Sequence, residues 1–170
     1  MQAGWAQALG MENIVIRAFE PSDRAWLVAQ HGRLYAQDEG FDESFEALVD
    51  EILSAFVAQH DPSCEQGWIA QAGDERLGSI FCVRLSERRA KLRLFLLVPE
   101  ARGQGLGGRL LRTCMTYAKH KGYSSMQLWT HESHKAACAL YAKSGWSLVS
   151  SKPVQSFGVE LVEQSWEIEL

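Results

Sequence analysis

The residue types best suited to binding a ligand lie at the start of a predicted helix, where glycine occupies four of the six positions 103–108. An apolar, strand-like run (Leu92–Val98) precedes them, and an amphipathic, helix-like run (Leu106–Lys119) follows. Glycine lets the backbone approach a ligand closely, and a helix N-terminus carries roughly half a positive charge. We therefore predict an anion site, and its most plausible ligand is a phosphate or pyrophosphate.

Two familiar phosphate loops fit this stretch poorly. A nucleoside triphosphate loop needs a lysine and then serine or threonine after its last glycine, but Arg109 and Leu110 stand there. The dinucleotide fingerprint is matched by the glycine spacing, and Glu132 lies near the position of a ribose-binding acid. However, Pro99–Arg102 separates the strand from the glycines, and three antiparallel strands are predicted before it. The dinucleotide interpretation is therefore disfavoured.

Apolar spacing along the chain predicts seven strands and four helices in the order β-α-α-β-β-β-α-β-α-β-β, with Asp42 capping the second helix. Short connectors make the strands before the glycine loop antiparallel, and a strand–helix–strand crossover follows at the loop. The predicted fold class is therefore α/β (α+β), with a mixed, mostly antiparallel sheet. Residues 1–13 are expected to be an N-terminal tail or extension, and residues 14–170 a single domain.

Composition argues against two classes of partner. The net charge of −4 disfavours nucleic-acid binding, which usually needs a basic face. A cluster of basic residues is interpreted as the solvated face of a hairpin; it comprises Arg84, Arg88, Arg89, Lys91 and Arg93. No apolar run approaches the ~20 residues that a membrane span needs, so we expect no membrane association.

The cysteines show no spacing typical of a metal site, so no metal is expected. Three of the four stand among apolar neighbours, which predicts buried, reduced thiols and a cytoplasmic location. They are Cys64, Cys82, Cys114 and Cys138.

A third interpretation of the glycine loop accounts for more residues. The stretch Val98–Gly107 resembles the acyl-CoA pyrophosphate loop of the GNAT superfamily of N-acetyltransferases. Arg102, Gly105 and Gly107 occupy the fixed positions of that loop. The downstream stretch His134–Trp146 resembles the family's second motif, except that histidine replaces its first residue, an asparagine. Two motifs in the right order make this resemblance specific, and the predicted elements match the family along Ile14–Leu170. A further stretch, His31–Asp42, resembles bacterial GNAT domains that are often fused to MarR-type regulators.

The resemblance implies acetyl-CoA as cosubstrate. Backbone N–H groups of the loop would hold the pyrophosphate, with charge added by Arg102 and Arg109. The strand before the loop would pair with the pantetheine arm, and an N–H group there would stabilise the oxyanion. The implied cofactor-binding residues are Leu96, Leu97, Val98, Arg102, Gly103, Gln104, Gly105, Leu106, Gly107, Gly108, His134 and Tyr141.

The resemblance also implies catalytic roles. Tyr141 is the expected general acid, because the family places this hydroxyl near the CoA sulfur. A base is needed because an amine with a pKa near 10.4 is almost fully protonated at pH 7. Glu39 and Glu132 are ranked first for that role. The residues expected to line the acceptor pocket are His31, Tyr35, Trp129 and His131.

The expected function is transfer of an acetyl group from acetyl-CoA to a primary amine of a small molecule, by direct attack in a ternary complex. A small acceptor is favoured because Pro21–His60 and a predicted loop at Lys152–Glu163 would cover the acceptor side. The alternatives are a protein lysine or N-terminal acetyltransferase and a non-catalytic acyl-CoA-sensing module. A homodimer is compatible with the resemblance, because members of the family are often dimers.

Overall fold

The computed structural model describes residues 13–170, and these residues form the predicted seven strands and four helices in the predicted order. The tail predicted at residues 1–13 lies outside the described residues except for Asn13. The strands are β1 (Ile14–Ala18), β2 (Gln66–Ala72), β3 (Glu75–Arg84), β4 (Arg89–Leu97), β5 (Ser125–His131), β6 (Ser147–Ser156) and β7 (Val159–Glu169). The helices are α1 (Arg24–Glu39), α2 (Glu43–Gln59), α3 (Leu106–His120) and α4 (Lys135–Lys143).

The strands form one mixed sheet in the order β1-β2-β3-β4-β5-β7-β6, in which the β4–β5 pair is parallel and the other described pairs are antiparallel. Helices α3 and α4 cover one face through a core that includes Leu110, Leu128 and Tyr141. Helices α1 and α2 cover the other face through a second core that includes Leu53 and Phe81. The mixed α/β architecture is therefore confirmed. Helices cover both faces of the sheet because both faces carry apolar side chains that must be buried.

The β4–β5 pair is short, and this opens the sheet. Pairing with β5 begins at Arg89 and ends at Lys91, whereas β4 continues to Leu97. Beyond Lys91, β4 remains paired with β3 alone. Part of its backbone edge therefore faces a gap in the middle of the sheet, between β4 and β5.

A β-bulge bends β4 at the point where it leaves β5. The β3–β4 register shifts between Ser79 and Phe81, and Leu94 has a positive φ of 50°. A bulge places one extra residue in one strand and increases its local twist. The buried hydroxyl of Ser79 donates a hydrogen bond to the Leu94 carbonyl at 2.6 Å. This carbonyl has no partner in the β3–β4 backbone pairing, so the hydroxyl satisfies it.

The prediction of a loop at Lys152–Glu163 is wrong, because β6 and β7 continue through these residues as a long hairpin. Its turn is at Phe157 and Gly158, both with positive φ. The turn reaches the α1–α2 junction, where the Asp42 N–H donates to the Phe157 carbonyl at 2.9 Å. Asp42 also accepts from the Ser44 N–H and caps α2 as predicted. The segment therefore does lie beside α1 and α2, as a hairpin.

None of the helices among residues 13–170 is long and apolar enough to cross a membrane. All four cysteines are free thiols, with Cys82 and Cys114 buried and the other two half-buried. Between Asn13 and Leu170, no three His, Cys, Asp or Glu side chains are grouped as a metal site would need.

We predict that Ser79→Ala lowers the free energy of unfolding by about 1–3 kcal/mol, because it leaves the Leu94 carbonyl without its partner. Denaturant unfolding measures this change. The control is Ser86→Ala at an exposed position of the β3–β4 hairpin, for which a change within about 0.5 kcal/mol is expected. Equal stabilities for the two variants would show that the hydroxyl does not hold the bulge.

Candidate active site

The glycine loop joins β4 to α3 in a conformation that glycine favours. A 3-10 turn at Pro99–Ala101 leads to Gly103 and Gly105, which have φ values of 76° and 79°. Gly105 is the N-cap of α3, and the first backbone hydrogen bond of that helix runs from the Arg109 N–H to the Gly105 carbonyl at 3.2 Å. Left-handed φ values cost most residues about 1–2 kcal/mol, which explains glycine at both positions.

The loop presents a run of unpaired donors. Among residues 13–170, no carbonyl or side chain accepts a hydrogen bond from the backbone N–H groups of residues 103–108. A helix alone leaves its first N–H groups unpaired, and here the run extends back through the loop. A Cβ atom at Gly107 would lie 3.4 Å from side-chain carbons of Leu97 and Leu140, so the helix start lies directly beside the gap.

The edge of β4 offers backbone groups to the same gap. Val98 donates its N–H to the Leu77 carbonyl at 2.9 Å, so it faces β3. Successive residues of an antiparallel strand alternate in direction, so Leu97 directs its N–H and carbonyl toward the gap. The Arg102 side chain reaches the Leu97 carbonyl at 3.3 Å. Of the predicted trio Leu96, Leu97 and Val98, Leu97 thus has the free N–H that a bound chain would use.

Tyr141 lies in α4 next to the gap and is buried. Its ring centroid lies 6.3 Å from that of Phe95 on β4 and about as far from two tryptophans, Trp146 and Trp166. Burial raises the pKa of the phenol, and the neighbouring Tyr35 raises it further. The hydroxyl therefore stays protonated and acts as a hydrogen-bond donor at neutral pH.

The end of α1 bridges the gap through two carboxylates. Glu39 lies 3.2 Å from Nε2 of His134, at the start of α4, and both side chains are largely buried. Asp38 lies 3.6 Å from the Arg102 guanidinium of the glycine loop. Burial lowers the pKa of His134, so the imidazole is neutral at pH 7 and its Nε2–H can donate to Glu39. The opposite nitrogen, Nδ1, lies 3.4 Å from the Thr130 hydroxyl, which completes this arrangement.

An aromatic cluster surrounds these groups on the α1–α2 side. Tyr35 packs on His134, and Phe41 packs on both His131 and Phe157 at centroid distances of 4.9–5.6 Å. Burial lowers the pKa of His131, so it too is neutral at pH 7. The predicted pocket residues Tyr35 and His131 therefore lie together beside Glu39.

Three other predicted residues lie in different surroundings. His31 is buried in α1, where its Nδ1 lies 2.8 Å from the Leu27 carbonyl, and burial lowers its pKa to about 4. Glu132 is exposed and pairs with Lys135 at 3.9 Å. The Trp129 ring is half-exposed on β5, on the same face as His131. Of the two predicted bases, Glu39 is thus the one beside the gap.

The interpretation of Lys91 and Arg93 as part of a solvated hairpin is wrong. Both are half-buried on the sheet face that α1 and α2 cover, and the ammonium of Lys91 lies 5.9 Å from the Trp129 ring centroid. Sequence reasoning also missed Asp38 and Thr130 as partners of site residues. For Lys91 and Arg93, the basic cluster was a visible signal in the sequence. However, a run of charges does not reveal which of its side chains are buried.

The pattern of the acetyltransferase (GNAT) family matches residues 29–146. The match covers most of the chain, which therefore belongs to the acetyltransferase (GNAT) family, as the two motifs predicted. Membership agrees with the expected acyltransferase activity and with acetyl-CoA as the expected cosubstrate.

Named relatives agree with this assignment. Rat N-acetyltransferase 8B is 31% identical over 83 residues, which are 46% of this chain and 37% of that protein. The chain thus spans well under half the length of this relative. An acetyltransferase from Salmonella typhimurium, solved with its cofactor acetyl-CoA, superimposes with a TM-score of 0.76 at 16% identity, over 93% of this chain and 94% of that one.

A spermidine N-acetyltransferase from Vibrio cholerae, solved with CoA and spermine, gives a TM-score of 0.72 at 16% identity, over 93% of this chain and 96% of that one. At such low identity, these two structures confirm the fold alone.

We predict that Gly105→Glu raises the Kd for acetyl-CoA at least about tenfold, because it introduces a carboxylate at the run of unpaired N–H groups, where an anion would bind. Isothermal titration calorimetry measures the Kd. The matched control is Gly73→Glu in the β2–β3 turn, which also has a positive φ with open space at its Cβ position. Both variants carry the same kind of backbone strain, so a similar loss in both would contradict an anion site at the loop.

Proposed function

We propose that the protein transfers the acetyl group of acetyl-CoA to the primary amine of a small molecule, by direct attack within a ternary complex. The observation that carries this proposal is the run of unpaired N–H groups at residues 103–108 beside a gap in the sheet. One feature alone would fit many anions. An N–H donor on β4, a protonated phenol and a partly buried carboxylate next to the same gap fit acyl transfer.

The donor side of the gap binds acetyl-CoA in this proposal. The backbone of the glycine loop holds the pyrophosphate, and Arg102 adds positive charge. Arg109 does not join it there, because its guanidinium donates to the Ile14 carbonyl of β1 at 3.1 Å. The Leu97 N–H is directed to the gap, where it pairs with the pantetheine arm or the thioester oxygen. Acetyl-CoA supplies the activated acyl group, and its sulfur leaves as a thiolate with the electron pair of the broken C–S bond. An N–H donor aimed at a developing oxyanion typically contributes ~10²–10³ in rate.

Tyr141 assists departure of the thiol. A phenol is a weaker acid than a thiol even before burial raises its pKa further. Complete proton transfer ahead of bond cleavage would therefore be uphill. Tyr141 instead donates a hydrogen bond to the sulfur as negative charge develops there and keeps its own proton, and the thiolate that leaves takes a proton from solvent.

Glu39 receives the proton of the attacking amine, directly or through one water. His134 donates to one carboxylate oxygen and keeps the side chain at the gap. Because His134 is neutral at pH 7, it orients Glu39 without neutralising its charge. This is a positioning role for His134, at the place where the family motif has asparagine. The exposed Glu132, paired with Lys135, is not needed in this mechanism.

The cover over the acceptor side favours a small acceptor over a protein. The turn of the β6–β7 hairpin packs on the α1–α2 junction, with Phe157 against both Phe41 and Phe45. A backbone hydrogen bond from Asp42 to Phe157 holds the two elements together. A folded protein or a long peptide would need these elements to separate, whereas a small amine would not.

We predict that Tyr141→Phe lowers kcat on the order of 10²-fold, because the developing thiolate loses its hydrogen bond. Release of CoA in the presence of a panel of primary amines, followed with a thiol reagent, measures kcat. Tyr117→Phe is the matched control, because it removes a buried hydroxyl of α3 that has no partner among residues 13–170. The role fails if both variants turn over at the wild-type rate. Tight binding of acetyl-CoA with no acetylation of any amine would contradict the enzymatic function itself.

We also predict that Glu39→Gln lowers kcat/KM about 10²-fold at pH 7, since the amide cannot take a proton but can still accept from His134. The deficit should shrink as pH rises toward the amine pKa near 10.4, because free amine then needs no base. A pH profile between about 6.5 and 9.5 tests this sign. Glu132→Gln should follow the wild-type profile. A pH-independent deficit for Glu39→Gln would indicate a structural role.

A further inference from the structure

We propose that the acceptor is an amino carboxylate, whose carboxylate binds Arg93 with support from Lys91 while its amine reaches the gap. This inference rests on the proposed function, since it names the substrate class of the same site. It assigns a binding role to two residues of β4 that belong neither to the glycine loop nor to the proposed acid and base.

Cross-strand pairing places both cations on the acceptor face. Residues directly opposite in a sheet project to the same side. Arg93 is opposite Phe81, which belongs to the core beneath α1 and α2, whereas Leu92 belongs to the core beneath α3 and α4. Lys91 is opposite Val83, which packs on the same α1–α2 core as Phe81. The two cations therefore lie on the face opposite α3 and its anion loop.

Their position along β4 is at the beginning of the gap. Lys91 forms the last pair between β4 and β5, with Gln127 as its partner, and Arg93 follows two residues later. The bulge at Leu94 comes next and interrupts the alternation, so that Leu94 also packs toward α1 and α2. Arg93 is thus the last charged side chain on this face before the unpaired edge of β4. An acceptor held there has its amine close to the backbone edge.

Within the described part of the chain, Arg93 lacks an anion that would neutralise it, and Lys91 has only a shared one. Among residues 13–170, the Arg93 guanidinium has neither a hydrogen bond nor an ion-pair partner. Burial lowers the pKa of Arg93. The pKa of Lys91 is also lowered, mainly by burial and to a lesser extent by repulsion from Arg93. The neighbouring carboxylate is Glu163 on β7, which attracts Lys91 but lies 4.0 Å from Lys152 as well.

A half-buried guanidinium without a partner is unfavourable, and it is a fitting receptor for a ligand carboxylate. Arginine binds carboxylates through two parallel N–H···O bonds, so it fixes the orientation of the ligand as well as its charge. The same cations repel acceptors that carry only positive charge. Polyamines are therefore expected to be poor substrates of this protein. The half-exposed Trp129 ring beside Lys91 offers an apolar surface to the remainder of the acceptor.

Matched acceptors that differ only in the carboxylate test the proposal. We would measure kcat/KM for the protein amino acids and for the amines that correspond to them by decarboxylation, such as phenylalanine against phenethylamine and lysine against cadaverine, with spermidine added. The wild-type protein should prefer the carboxylate member of the best pair by at least about tenfold, the usual effect of a charge-assisted hydrogen bond. Spermidine should be turned over no better than the decarboxylated amines.

Arg93→Gln should remove this preference selectively. The variant should raise the KM of the amino carboxylate at least about tenfold and leave the decarboxylated amine within about threefold. The Kd for acetyl-CoA, measured by calorimetry, should not change. Arg93→Lys keeps the positive charge but loses the two parallel N–H donors of the guanidinium, so it should retain part of the preference. Arg88→Gln, at an exposed position of the same hairpin, is the charge-matched control and should behave as wild type.

The outcomes separate this inference from the proposed function. Equal turnover of both members of every active pair, with Arg93→Gln affecting them alike, would overturn the carboxylate site and leave the N-acetyltransferase intact. Absence of turnover with every acceptor, despite acetyl-CoA binding, would overturn the proposed function and this substrate class with it. If Arg93→Gln does not fold, as judged by circular dichroism, the wild-type pair preference and Arg93→Lys decide the question.

Discussion

The early end of pairing between β4 and β5 is the constraint on which the rest of the structure depends. A strand inside a sheet normally has partners on both sides, and unpaired backbone groups away from water are costly. Here the pairing with β5 stops at Lys91, and the bulge at Leu94 turns β4 away. Ser79 satisfies the bulge carbonyl, so the bend is held by the protein itself. The remaining edge, at Leu97, has no strand partner on the β5 side among residues 13–170.

Helix α1 ties together the two sides of this gap. Its last turn carries Asp38, near Arg102 on the glycine loop, and Glu39, near His134 on α4. The loop and α4 belong to opposite sides of the gap, and no strand pairing joins them there. A few polar contacts with one helix end therefore determine how the carboxylate lies relative to Tyr141. This explains why histidine can replace the asparagine of the family motif: it binds a carboxylate that this chain provides.

The sequence was sufficient for what depends on local pattern. Glycine spacing, apolar periodicity and the Asp42 cap predicted the loop, the elements and their order, because each reflects contacts within a few residues. The contact of Glu39 with His134 joins residues distant in the chain, so spacing could not reveal it. Arg93 was misassigned because Arg84 and Arg88 of the same basic cluster are exposed, and a charge run in sequence does not separate them from the half-buried members. The two closing strands were predicted, but their extension through Lys152–Glu163 was taken for a loop, because most residues of β6 are exposed.

Charge is divided between the two faces of the sheet in a way that net charge conceals. The chain is acidic overall, yet positive potential borders the gap from both faces: the N–H groups of residues 103–108 and Arg102 on one, Lys91 and Arg93 on the other. In the proposed reaction, an anionic cosubstrate and an anionic acceptor would thus approach from opposite faces of the sheet. Tyr35, Phe41 and a neutral His131 line the gap on the α1–α2 side. In such surroundings a single carboxylate, Glu39, has more influence on an approaching ammonium than it would have in water, because a low dielectric strengthens the attraction.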